Sequence, residues 1–205
     1  MQFNSMKALQ AKQNPRRVWN WREYIVYIAF VVVFFVFAVT LRDDGFLSTV
    51  NLMNIVIQTA SITIMAVAMT FVISSGEIDL SVGAVAALTS MTTALAVGHW
   101  GIIPAIFVGL GTGLVIGFVN GFLVTRIGIP SFLVTLGMMS IAKGLAMWIT
   151  GTKPVPILNT TYNFIFGGGK IWGIPVLVLW TLAALIVGHI VLRKTKFGRQ
   201  ALATG

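Results

Sequence analysis

Residues Met65–Thr89 read MAVAMTFVISSGEIDLSVGAVAALT. Two apolar runs meet at Ser74-Ser75-Gly76-Glu77-Ile78-Asp79-Leu80-Ser81, a short polar stretch that holds two of the five acids in the chain. Outward from this stretch the pattern repeats. Apolar runs cover about Tyr24–Leu41, Leu52–Ser75, Leu80–Gly98, Ile102–Thr125, Pro130–Thr150 and Ile171–Leu192. Each is long enough to cross roughly 30 Å of hydrocarbon as a helix. Lipid cannot satisfy backbone polar groups, so each must close its hydrogen bonds within itself, and no alternation suited to a membrane barrel is present. The spacing predicts an all-α polytopic bundle of about six spans over residues 24–192. A basic segment, 1–23, precedes it and a basic tail, 193–205, follows.

Composition agrees. Of 205 residues, 57% are hydrophobic and 9% charged, with a mean hydropathy of +0.93; soluble domains carry about 25% charged residues. The formal charge of +9 would suggest nucleic acid in a soluble chain, but here it sets orientation. With the N-terminus in the cytoplasm, the inner side collects Lys7, Lys12, Arg16, Arg17, Arg22, Arg126, Arg193, Lys194, Lys196 and Arg199, while the outer side holds only Arg42, Lys153 and Lys170. Trp19, Trp21, Tyr24 and Tyr27 suit the interfacial belt at the start of the first span. The leader is too long, and its apolar core too extended, for a cleavable signal.

The chain lacks the residues for other chemistries. It has no cysteine, and His99 and His189 have no partner at ligand spacing, so no metal or cofactor is expected. Gly167-Gly168-Gly169-Lys170 lacks the spacing and final hydroxyl of a phosphate-binding loop. Energy for any transport must therefore come from elsewhere.

Polar and small residues inside the spans mark the interior. Gly109, Gly113, Gly117 and Gly121 recur every four residues and lie on one helix face, which lets a second helix approach closely. Gln58, Asn120, Thr135 and Ser140 are polar at membrane depth and must face partners or a water-filled route. Lys143 is the one strong base inside a span; it must snorkel, pair or line a cavity, and Glu77 or Asp79 is a natural partner. The loop from Gly151 to Lys170 is either a binding platform or a slack connector. Asn51 is expected to cap the second helix, and Pro104 sits harmlessly in the first turn of the fourth.

Two readings of the opening stretch stand at this point. In the first, Gly76 breaks the second helix, Asp79 caps the third and Glu77 sits in water. In the second, the break is a discontinuity whose carboxylates contact a substrate, an ion or a partner.

Four ordered segments carry a resemblance. Met65–Thr89, Ile129–Met139 (IPSFLVTLGMM), Thr195–Gly205 (TKFGRQALATG) and Phe46–Ala60 (FLSTVNLMNIVIQTA) resemble segments of the inner-membrane permeases of bacterial sugar ABC importers of the ribose, xylose, galactose and autoinducer-2 type. The resemblance implies a multi-pass subunit that pairs with a second copy or a homologue. Cytoplasmic ATPase subunits would drive it, a periplasmic binding protein would supply sugar, and membrane lipid would surround it. It marks Gly76, Asp79 and Ser81 as parts of a signature turn with a capping or gating role. Glu77 departs from the family pattern, which usually has a second glycine there, and looks closest to the xylose-type members. The family's members are longer, so the resemblance also implies that this chain corresponds to their N-terminal part. Two alternatives remain open: an ion-coupled transporter using Glu77, Asp79 and Lys143, and a non-transporting membrane scaffold.

Overall fold

A computed structural model describes residues 21–205, with side chains from Tyr24 onward. The basic segment expected over residues 1–23 therefore lies outside the described side chains, as do Trp19 and Trp21. The chain forms two compact units, Met1–Met53 and Asn54–Gly205.

In the first unit, α1 spans Trp21–Thr40. Its apolar side chains are exposed nearly all round, including Phe30, Phe35 and Val26, the pattern of a helix solvated by lipid or by other chains. The following turn folds Phe46 back onto Phe34 and Phe37, with ring centroids 5.5 and 5.9 Å apart. The next helix, α2 (Thr49–Ser74), begins two residues before Asn51. Asn51 is therefore not its cap. Ser48 takes that position, its hydroxyl accepting from the Asn51 backbone N–H at 3.3 Å, while Asn51 Nδ2 donates to the Phe46 carbonyl at 2.8 Å.

In the second unit, α2 is followed by α3 (Val82–Trp100), α4 (Ile102–Phe122), α5 (Ser131–Thr150), the short α6 (Thr160–Phe166), α7 (Val176–Lys194) and α8 (Lys196–Thr204). Among the described residues, five helices are long and apolar enough to span a membrane, and Tyr24–Thr40 adds a shorter apolar one. The fold is the all-α polytopic bundle read from the sequence. Its core is the trio α3, α4 and α5, where Ala84, Leu88, Ile116 and Ala142 pack together. A third of the α3 span is buried against only 6% of α2, so α3 is the central helix of this unit.

Several boundaries differ from the sequence reading, each for a local reason. The third helix begins at Val82 rather than Leu80, because residues 77–81 lie in an irregular turn. The fourth widens into a π-helical turn at Leu123–Ile127 before Gly128 ends it with φ +82°. The sixth expected span begins at Val176 rather than Ile171. Lys170–Ile171 and Ile174–Pro175 instead pair as a minimal antiparallel hairpin. Its two-residue loop, Trp172–Gly173, has positive φ at both positions, as a tight hairpin turn requires. The 151–170 loop is not slack throughout, since α6 forms within it with Asn159 as its cap. The basic tail is helical too. In α8, Thr195 caps by accepting from the Gly198 N–H at 3.2 Å, and Phe197 packs on Phe71 of α2. Where α7 meets α2, a side chain at Gly188 would collide with Val67, and Thr181 Oγ1 donates to the Ala60 carbonyl at 3.2 Å.

Candidate functional site

The polar stretch between α2 and α3 is ordered by a set of hydrogen bonds from two other helices. Gly76 ends α2 with φ +77°, a conformation that glycine alone adopts without strain. The chain then runs without regular structure to Ser81. The Glu77 N–H still donates to the Val72 carbonyl at 3.2 Å, and α5 supplies acceptors for the N–H groups of Ile78 and Leu80. Ser131 Oγ accepts from the Ile78 N–H at 3.2 Å, and Thr135 Oγ1 accepts from the Leu80 N–H at 3.1 Å. Thr135 keeps its own proton on the Ser131 carbonyl one turn back, at 2.8 Å, so its lone pairs stay available.

Asp79 does not cap α3 in the expected way. Its Oδ1 accepts from the Ser81 N–H at 2.7 Å and from the Ser81 hydroxyl at 2.6 Å, forming a charge-assisted turn just ahead of the helix. Ser81 holds the cap position but makes no capping bond itself. It is completely buried. Asn120, in the last turn of α4, donates from Nδ2 to Ser81 Oγ at 3.3 Å. One end of the bundle therefore gathers Asp79, Ser81, Asn120 and Thr135, all singled out in the sequence, together with Ser131, which was not. Ser131 follows Pro130 in a segment quoted only for its family resemblance, and a serine beginning a helix carries no signal of its own.

The other candidates lie elsewhere. Glu77 and Gln58 are exposed. Lys143 is exposed on α5, eight residues beyond Thr135 and so about 12 Å further along the helix. No ion pair joins it to Glu77 or Asp79 among the described residues, and no metal-binding cluster is found among them. Ser140 is exposed and bonds within its own helix. His99 is exposed in the last turn of α3, and His189 is exposed within α7, which runs on to Lys194.

The glycine stripe of α4 divides in two. A side chain at Gly109 would collide with the Thr93 hydroxyl, and one at Gly113 would touch the Thr89 methyl at 3.7 Å; Gly117 and Gly121 meet nothing within 4 Å. The stripe thus admits α3 at its first two positions, and nothing among the described residues occupies the other two. Beside those two glycines a cleft of about 560 Å³ opens, lined by Thr89, Ser90 and Thr93 and by Tyr162 and Phe166 of α6. The aromatic lip is braced. Tyr162 packs on Phe166 at 5.0 Å, Phe166 stacks on Trp180 at 5.8 Å, and Trp180 Nε1 donates to the Ile165 carbonyl. Burial pushes the Tyr162 phenol above its ordinary pKa, so it stays neutral and able to donate.

Residues 51–205 match the family described as branched-chain amino acid transport system / permease component. The chain belongs to that family. Within it, the chain is 38% identical over 172 residues to the ribose import permease protein RbsC of Bacillus subtilis, covering 83% of this chain and 53% of that one. It is 38% identical over 178 residues to the probable ABC transporter permease protein y4mJ of Sinorhizobium fredii, covering 87% and 54%. It is 33% identical over 182 residues to the L-arabinose ABC transporter permease protein AraH of Azospirillum brasilense, covering 88% and 52%. The chain spans about half the length of these relatives. No solved structure matches it. The matched region contains the turn, Asn120, Ser131 and Thr135, so the hydrogen-bonded end described above belongs to the permease part of the chain.

Proposed function

We propose that the chain is the membrane-spanning part of an ATP-driven importer that moves a monosaccharide of the xylose or ribose kind across the bacterial inner membrane. The observation that carries this reading is family membership together with relatives named for ribose and arabinose import. Those names favour a sugar over the amino acids in the family's own description. The α3–α4 cleft is compatible with the same choice, since its lining includes the hydroxyls of Thr89, Ser90 and Thr93 as well as the aromatic rings of Tyr162 and Phe166. ATP hydrolysis falls to separate cytoplasmic subunits, a periplasmic binding protein delivers the sugar, and a second permease copy or a homologue completes the pathway. The Lys/Arg balance puts the N-terminus, the Gly76–Ser81 turn and α8 on the cytoplasmic side.

Gly76, Glu77, Asp79 and Ser81 act as a gate. Beyond the Gly76 and Glu77 N–H bonds to the end of α2, the irregular segment is held by the hydroxyls of Ser131 and Thr135 through single bonds worth about 1 kcal/mol each. Such a clasp can open without unfolding a helix. An ion-coupled mechanism through Glu77, Asp79 and Lys143 gains no support, because Asp79 is engaged by Ser81 and Lys143 stands apart from it. The test is uptake of labelled sugars by cells producing the full-length protein with its ATPase and binding protein. Energy-dependent uptake of a pentose or hexose, uncompeted by leucine or isoleucine, is expected. Absence of uptake for every pentose and hexose contradicts the proposal, and competition by those amino acids moves the substrate to the other class.

A further inference from the structure

The amide of Asn120 is buried, with 8% of the residue exposed, and its Oδ1 has no hydrogen-bond partner. Buried polar atoms are nearly always paired, so an orphan of this kind needs a physical reason. The reason begins at Asp79. An ionised carboxylate only accepts, so the short 2.6 Å contact commits the single Ser81 hydroxyl proton to Asp79. Ser81 Oγ is then left with lone pairs alone. Asn120, 3.3 Å away, can meet it only by donating, which fixes Nδ2 toward Ser81. Oδ1 must point the opposite way. The charge on Asp79 thus sets, through one serine, which end of the Asn120 amide is presented. Oδ1 itself is covered in this state, but one turn earlier on α4 Gly117 meets nothing within 4 Å, so a movement on that side of the helix uncovers the amide.

We infer that Asn120 Oδ1 is the acceptor for a hydroxyl group, supplied by a bound water or by the permeating polyol, and that Asp79 and Ser81 are positioning residues for it. The acceptor itself follows from the geometry alone; the polyol as donor rests on the import reading above. Two substitutions separate this role from simple packing. Ser81→Ala removes the bond to Nδ2 but leaves Oδ1 in place. Asn120→Leu, which keeps the branch at Cγ but adds volume, removes both, and Asn120→Ala, which adds none, controls for overpacking. If Oδ1 carries a hydroxyl, Asn120→Leu loses more than Ser81→Ala. If Oδ1 is truly idle, replacing a buried unpaired amide by an apolar group is neutral or favourable, and Asn120→Leu loses less.

The experiment measures the thermal midpoint of the purified full-length protein and, in parallel, the concentration dependence of sugar uptake. The expected result is a lower midpoint, or a roughly tenfold higher Michaelis constant, in Asn120→Leu than in Ser81→Ala. Single-deoxy analogues distinguish the donors. One analogue that is transported poorly by the wild type, yet no worse than the parent sugar by Asn120→Leu, assigns the hydroxyl to the substrate. A lower midpoint with all sugars affected alike assigns it to water. If Asn120→Leu does not accumulate, Asn120→Ala takes its place in the same comparison. An Asn120 variant that equals or exceeds Ser81→Ala in both midpoint and uptake overturns the inference. Because the midpoint needs no transport, it stands even if no sugar is carried.

Discussion

The two ends of the α3–α4 pair are closed by different chemistry. At the Gly101 end, Ala96 and Val97 of α3 pack against Ala105 and Val108 of α4, and Ile157 and Tyr162 cover them. Small side chains let the backbones approach, and many weak contacts share the work. At the other end, Asp79, Ser81, Asn120, Ser131 and Thr135 hold an irregular segment through a few directed bonds. Shape complementarity resists displacement in every direction. A hydrogen bond is lost within a short movement and can be remade with another partner. On the proposed reading, one end stays closed while the other changes state as a gate.

Substitutions at the two ends should break this contrast in order of size. The largest effect is expected from Gly109→Leu, next to the apolar end. Its side chain has to displace Thr93, and overpacking of this kind costs about 3 kcal/mol at the upper end of the usual range. Thermal denaturation of the purified protein should show a marked fall in midpoint; an unchanged midpoint would mean that α3 and α4 are not closely packed. Ser81→Ala comes next, at about 2 kcal/mol, because it takes one of two donors from Asp79 and strands the Asn120 amide. Thr135→Val removes the acceptor for the Leu80 N–H and the hydroxyl's own bond to the Ser131 carbonyl, and should cost about 1 kcal/mol. Its sharper signature is functional: uptake should leak or uncouple before stability suffers, visible as sugar entry without added ATP-regenerating substrate. Gly117→Ala should be neutral or gain up to about 1 kcal/mol, since nothing occupies the space and the helix improves. A destabilised Gly117→Ala would show that a helix outside the described residues packs there.

Much of this was legible in the sequence. Length and apolarity alone marked the spans, the scarcity of polar residues inside them pointed to Asn120 and Thr135, the scarcity of acids pointed to Asp79, and the family resemblance marked Ser81. Their convergence was not legible. Periodicity places Asn120 on a face of α4 but does not say that this face meets Ser81, 39 positions away. The same limit explains the misreading of Asp79. An acid just ahead of a helix reads as a cap, whereas burial of Ser81 turns it into the first member of a hydrogen-bond chain. Gly188 shows the converse: it makes the close approach of α7 to α2, yet a lone glycine gives no repeat to notice. The hairpin at Lys170–Pro175 was hidden because Ile171-Trp172 looks like the start of a span.

The contrast between a fixed and a changing end can be measured directly, because the chain contains no cysteine. Single cysteines placed by Ser131→Cys at the polar end and Ala105→Cys at the apolar end report access through labelling by a small maleimide. The measurement is the labelling rate in membranes holding the whole transporter, with and without ATP and sugar-loaded binding protein. The account predicts that the rate at position 131 changes severalfold with turnover, while Ala105→Cys, at a fully buried position, stays unlabelled in both conditions. Equal rates at position 131 in the two conditions, or labelling at position 105 that follows turnover, would contradict it.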